Sequence, residues 1–191
     1  MFTGIITNKA RVKSVSKQNN KLVISNVLGD LNTGTSISVD GACLSVNNIN
    51  KDSLSFDISQ ETFKRTIINN YTKGDTVNIE LPMSSESLFS GHLVLGHVDT
   101  VGIIAKIERI KNNLWNYYFS LKESTYIVDK GSIAINGISL TTNIDSNYTF
   151  YVSVIEETFN ETNLSDPYIK ENSEVNIEYD IIGKYVYKYT K

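Results

Sequence analysis

Both histidines of the chain fall in one short stretch, Gly91-His92-Leu93-Val94-Leu95-Gly96-His97. Imidazole is the side chain whose charge changes near neutral pH, so these two are the first candidates for moving a proton. Five residues apart, they point to opposite faces of a strand and sit roughly 140° apart on a helix, which does not suit a shared metal. No third His or Cys stands at ligand spacing, and zinc sites take four ligands, so no metal centre is expected. Each histidine follows a glycine, Gly91 or Gly96, which lets backbone or ligand approach closely. The competing reading for each is a hydrogen-bonded structural histidine.

Cys43 is the single cysteine, set in Asp40-Gly41-Ala42-Cys43-Leu44-Ser45. A lone cysteine in a β protein is commonly an inert buried residue; as a nucleophile it needs a base or a positive field, which His97 supplies only if the fold brings the two together. Ser139 and Thr141 carry hydroxyls able to bind a polar ligand or to satisfy buried backbone. Glu61-Thr62 and Glu157-Thr158 pair a carboxylate with a hydroxyl at expected helix starts, favoured by the helix dipole and fit to grip heterocycle N–H groups or a sugar chain.

These candidates sit in a sequence that repeats. Ser36-Ile37-Ser38-Val39-Asp40-Gly41-Ala42-Cys43-Leu44-Ser45 aligns with Ser132-Ile133-Ala134-Ile135-Asn136-Gly137-Ile138-Ser139-Leu140-Thr141, so Cys43 faces Ser139 and Ser45 faces Thr141. Glu61-Thr62-Phe63 aligns with Glu157-Thr158-Phe159, and Val77-Asn78-Ile79-Glu80 is identical to Val175-Asn176-Ile177-Glu178. Glu80 and Glu178 read as solvated or structural, with Asp180 further along the same face. A period of half the chain means a duplicated domain, and the differences between copies then mark divided chemistry.

The elements that must position these groups are strands. Val23–Asn26, Ser36–Val39, Leu54–Ile58 and Thr76–Leu81 alternate in polarity between Gly, Asn and Asp turns, the pattern of small barrels or sandwiches. Glu61–Asn69 and Glu157–Leu164 read as short helices or turns capping each barrel. The polar bridge Ser84-Ser85-Glu86-Ser87 sets the expected units at 1–86, 87–179 and a C-terminal helix at 180–191. In that tail Ile182, Tyr185, Val186 and Tyr189 form one apolar stripe, which packs either on its own barrel or on another subunit.

With 18 Lys and Arg against 21 Asp and Glu, a net charge of -3 and no basic cluster, the chain lacks a nucleic-acid surface. No run reaches the roughly 18 apolar residues of a membrane helix, and no secretory leader is visible. A soluble protein of a reducing cytoplasm is expected, since one cysteine makes no internal disulfide.

Taken together, Met1-Phe2-Thr3-Gly4-Ile5-Ile6, Asp40 to Val46, Gly91-His92 through Gly96-His97-Val98-Asp99, Lys130 to Thr141 and the two Glu-Thr segments resemble the riboflavin synthases of the trimeric type, over essentially the whole chain. The resemblance implies an all-β chain of two tandem six-stranded Greek-key barrels related by internal duplication, with a short C-terminal helix that joins a homotrimer. It implies a cofactor-free transferase of riboflavin biosynthesis, in which two molecules of 6,7-dimethyl-8-ribityllumazine give riboflavin and 5-amino-6-ribitylaminouracil by four-carbon transfer at a subunit interface. Association with lumazine synthase is a partner it leaves open, and a non-catalytic lumazine- or flavin-binding protein of the same fold is the alternative.

By the same resemblance, Gly4, Ile5, Ile6, Cys43, Leu44, Ser45, Asp57, Ile58, Ser59, Gln60, Glu61, Thr62, Gly96, His97 and Val98 line a first-half substrate site. Lys130, Ser139, Leu140, Thr141, Ser153, Val154, Ile155, Glu156, Glu157 and Thr158 line a second, and Phe2 and His92 complete the set. His97 with Thr141 or Ser139 handles protons, and Cys43, Ser139 or a water adds as nucleophile. Glu156 departs from the family's usual proline, and the tail is shorter than usual.

Overall fold

The computed structural model describes residues 1–111 and 113–190 and places a strand on each alternating segment named above. The first barrel consists of β1 (Asn8–Ser16), β2 (Lys21–Ser25), β3 (Ser36–Val39), β4 (Ala42–Asn50), β5 (Ser53–Asp57) and β6 (Thr76–Glu80). The second consists of β7 (Thr100–Ile110), β8 (Leu114–Ser120), β9 (Ser132–Ile135), β10 (Ile138–Ile144), β11 (Phe150–Val154) and β12 (Glu174–Tyr179). Among the described residues each sheet closes on itself, in the orders β1-β2-β5-β4-β3-β6 and β7-β8-β11-β10-β9-β12, one Greek-key path used twice. Closure leaves no unpaired edge to template aggregation.

Alternation explains the interiors. Leu22 and Ile24 on β2 and Leu54 and Phe56 on β5 point inward and are fully buried, while their neighbours in sequence face out. In the second barrel Phe119 and Phe150 stack with ring centres 5.0 Å apart. Each such side chain contributes roughly 1.5–3 kcal/mol by burial.

The expected capping helices are each broken in two. Helix α1 (Gln60–Arg65) gives way to a 3₁₀ turn at Ile67–Asn70, and α2 (Glu156–Glu161) to one at Asn163–Ser165. The break falls at Thr66 and Thr162, both extended, whose hydroxyls accept the backbone N–H of Ile68 and Leu164. A threonine that caps the next turn cannot also continue the helix before it.

The two barrels meet along a pseudo-twofold seam. The β3–β4 and β9–β10 hairpins turn through Asp40-Gly41 and Asn136-Gly137, all four with positive φ (44°, 79°, 45°, 78°), as a type I′ turn demands. These turns abut, glycine against glycine. The duplicated Val-Asn-Ile-Glu strand supplies the bonds across the seam: Asn78 Nδ2 donates to the Asn136 carbonyl (3.0 Å) and Asn176 Nδ2 to the Asp40 carbonyl (2.8 Å). In return Asn78 Oδ1 accepts the N–H of Asn163 (2.7 Å), and Asn176 Oδ1 that of Ile67 (2.8 Å).

In charge, the seam departs from symmetry at Asp40. Asp40 is buried and accepts from the Tyr71 hydroxyl (2.7 Å), the Asn78 N–H (2.7 Å) and Asn163 Nδ2 (3.1 Å), whereas its counterpart Asn136 is neutral. Burial outweighs these donors and pushes the Asp40 carboxyl up to about 7. The folded state therefore holds a proton that the unfolded chain releases near pH 4. Stability should fall as pH rises from about 4 and level off above about 7, by a few kcal/mol. Asp40→Asn, which restores the symmetry, should flatten most of that slope in urea unfolding at pH 5 and pH 8; an unchanged slope would refute the assignment.

The tail forms α3 (Ile181–Thr190), while Lys191 lies outside the described residues. Lys184 Nζ bridges both oxygens of Asp99 (2.8 and 2.6 Å), and Tyr187 packs edge-on to Tyr126, so this face meets the chain's own barrel. The stripe turns away: Ile182, Tyr185, Val186 and Tyr189 are all more than half exposed. Within the single chain the stripe is left largely uncovered.

Candidate functional site

Each barrel has a hollow beside its capping helix, and each hollow is walled by a segment from outside that barrel. Beside α1, Cys43 at the start of β4 meets the Gly96-His97-Val98 segment, with Ser59, Glu61, Thr62 and Arg65 opposite; the space measures about 210 Å³. Beside α2, Ser139 at the start of β10 meets Gly4-Ile5-Ile6, with Glu157, Thr158 and Glu161 opposite, in about 280 Å³. The expectation that Gly4, Ile5 and Ile6 join Cys43 in the first-half site is thus corrected. The N-terminal segment crosses to the second barrel, and the segment that follows the linker crosses to the first.

The physical reason is a pair of buried clamps. Glu80, at the end of β6, accepts the N–H groups of Thr3 (2.7 Å) and Gly4 (3.0 Å); Glu178, at the matching place on β12, accepts those of Leu95 (2.6 Å) and His97 (2.7 Å). Both carboxylates are nearly inaccessible, which excludes the solvated reading, and burial raises both above the usual range. Phe2 and Val94 bridge the two segments to each other over the pseudo-dyad. Gly4 and Gly96 are both required by contact: with φ of +79°, a β-carbon at Gly96 would stand 2.5 Å from that of Cys43, and one at Gly4 2.6 Å from that of Ser139.

The histidines go to different places. His97 is exposed, in the first hollow with Cys43. His92 is buried behind Ser139, its Nδ1 2.7 Å from the Ser139 hydroxyl, and its Nε2 has no hydrogen-bond partner among the described residues. Burial pulls the pKa of the His92 imidazole below its ordinary value, against a smaller opposing pull from Asp180, so His92 is neutral at pH 7. Within one chain the hydroxyl paired with an imidazole is therefore Ser139 with His92. His97 lines the other hollow, apart from Ser139 and Thr141.

The remaining candidates divide by burial. Leu44, Ile58 and Val154 point into the barrel cores, and Leu140 packs against the second core. Asp57, Gln60, Lys130, Ser153 and Glu156 engage Asn47, Asn20, Asn143, Asn116 and Asn113 respectively, and Ser45, Thr141 and Ile155 are exposed. None of these lines either hollow. Arg65 and Glu161, not foreseen, line them one helical turn beyond Glu61 and Glu157. The i, i+4 spacing was the available signal. A further hollow, about 530 Å³, lies in the seam under Asp40, where Asp75, Asp166 and Glu174 all accept bonds from within the chain.

The chain matches the lumazine binding domain twice, over residues 3–82 and 95–180. It is 39% identical to the riboflavin synthase of Actinobacillus pleuropneumoniae, covering 97% of this chain and 88% of that protein. It is likewise 39% identical to the riboflavin synthase of Bacillus subtilis (99% and 89%) and 36% identical to that of Escherichia coli (94% and 87%). Crystal structures of LumP complexed with riboflavin and with 6,7-dimethyl-8-(1'-D-ribityl) lumazine share the fold, with TM-scores of 0.84 and 0.82 at 24% identity, covering 94% and 93% of this chain and 99% and 98% of those chains. Two complete copies of one ligand-binding domain, and relatives matched almost end to end, make this chain a member of the riboflavin synthase family.

Proposed function

We propose that the chain converts two molecules of 6,7-dimethyl-8-ribityllumazine into riboflavin and 5-amino-6-ribitylaminouracil, without a cofactor. The observation that carries this reading is the pair of hollows, alike in backbone and unlike in chemistry: Cys43 and His97 in one, Ser139 backed by His92 in the other. A reaction of two identical molecules in unequal roles needs such a pair. The atoms of two lumazines equal those of the two products, so no oxidant or net water enters.

In the mechanism we infer, one lumazine loses a C7-methyl proton to an imidazole, for which His97 is placed, and keeps the electron pair as a ring-delocalised anion. The other accepts a nucleophile at C7, the Ser139 hydroxyl with its proton passing to His92, or a water held there. Bond formation between the two rings then delivers the four-carbon unit, and the nucleophile leaves. Fixing two rings against each other supplies much of the acceleration. Each hollow alone is below the ~300 Å³ of ordinary ligand sites, which favours completion by facing the first hollow of one subunit to the second of another. The exposed stripe of α3 is the surface we assign to a homotrimer, in a cytoplasmic setting that keeps Cys43 reduced.

Mixing purified protein with the lumazine alone should yield one riboflavin for every two lumazines lost, followed by absorbance and chromatography. Tight binding with no product would instead make the chain a ligand carrier; no binding would overturn the reading.

A further inference from the structure

The matched hollows differ most in charge, at residues in equivalent places. In the first, Arg65 Nε bonds Glu61 Oε1 at 2.9 Å and Nη1 reaches the Asp99 carbonyl at 3.4 Å, with the arginine side chain 59% exposed at the mouth. In the second the same position holds Glu161, one turn from Glu157, and among the described residues neither carboxylate has an ion-pair partner. One pair cancels its charge and the other doubles it. His97 against Ile5, at the equivalent point of the two crossing segments, adds to the contrast.

A neutral ring with a polyol chain meets similar backbone and the same Glu-Thr pair in both hollows, and the contrast in charge matters little to it. An anionic derivative is a different case. Arginine presents a planar fork of donors that suits a phosphate, whereas two adjacent carboxylates repel one. We propose that Arg65 and Glu161 are specificity-determining residues that make the hollows charge-selective: the first admits the phosphomonoester of a ribityl-bearing ring, and the second excludes it. This rests on the function proposed above. Such an ester is formed by phosphoryl transfer to the terminal alcohol of the product, so the compound made by the next class of reaction would occupy half of the catalytic pair and block it.

The test is titration of the full-length protein with riboflavin and with flavin mononucleotide, by calorimetry and flavin fluorescence, at low and moderate salt. The native chain should bind flavin mononucleotide at half the stoichiometry of riboflavin, with an affinity that falls as salt rises. Arg65→Glu should weaken flavin mononucleotide about fivefold and riboflavin by less than about twofold, the range expected for exposed charges. Arg65→Lys should rescue the nucleotide, and Glu161→Arg should raise its stoichiometry to that of riboflavin. Equal stoichiometry on the native chain, or equal weakening of both ligands by Arg65→Glu, overturns the charge selectivity alone. Failure of the native chain to bind riboflavin or the lumazine at all overturns the proposed function, and this inference with it.

Discussion

Valine in place of Gly41 should lower the thermal midpoint by about 10 °C or more, and Gly137→Val should do the same. At either site φ is near +79°, a region that costs an L side chain about 1–2 kcal/mol. The larger cost is contact. A β-carbon at Gly41 would stand 2.7 Å from the backbone nitrogen of Gly137, and one at Gly137 2.7 Å from that of Gly41. Backbone held in two barrel hairpins cannot step aside as a flexible side chain would, so relief comes by prising the seam apart and stretching the bonds of Asn78 and Asn176. A total near 4 kcal/mol is reasonable for such a clash, and at about 2–4 °C per kcal/mol in a chain of this size it gives the stated shift. Gly74→Ala is the control: its φ is also positive, but nothing stands within 4 Å, so only the conformational part is lost. Calorimetry decides the matter, and a Gly41→Val protein melting within about 2 °C of the native one would show that the seam yields more easily than its geometry suggests.

Removal of the Ser139 hydroxyl should have the largest effect on turnover. Ser139→Ala should reduce kcat about 100-fold with KM changed by less than about threefold, in the range general acid–base assistance provides. In the mechanism proposed, His92 positions Ser139 and accepts its proton, so His92→Ala should cost nearly as much, and the double variant no more than either single one. A merely structural histidine would not predict the pH behaviour. Because burial holds His92 neutral, native activity should fade only when the pH drops below the ordinary imidazole range, as protonation takes away the acceptor for the serine proton. The residual activity of His92→Ala should lack that acid limb. Losses that multiply in the double variant, or an acid limb that survives the loss of His92, would move the nucleophile elsewhere, with Cys43 and water next in line.

Much of this was legible in the residues. Alternating segments became strands because β-branched residues and period-two polarity leave a barrel few other ways to close, and the repeat announced two of them. The two Glu-Thr segments, Cys43, Ser139 and His97 all reach the hollows because they sit next to turns and strand starts whose positions the pattern fixes. The partner of each hollow was not legible. Periodicity says which face of a strand a residue occupies, but not that Gly4 is held against Ser139 across the molecule, a result of two carboxylates each capturing two backbone N–H groups. Glu80 and Glu178 were visible as an identical motif, yet an acidic residue at a strand end reads as solvated unless its tertiary acceptor role is known. The same limit hid the His92–Ser139 pair, whose members lie in different elements 47 positions apart.

The crossing of the two wall segments has a consequence for biosynthesis. Translation runs from N- to C-terminus, so the residues that wall the second hollow leave the ribosome well before β10 and have no seat until it emerges. The first barrel, meanwhile, can close its sheet long before the stretch containing His97 arrives to finish it. A chain stopped or cleaved in the linker at Ser84–Ser87 would release a closed barrel whose hollow lacks its outer wall, together with a wall segment whose barrel is missing. The two copies left by duplication thus exchange arms: each hollow is completed by the segment that precedes the other barrel's first strand.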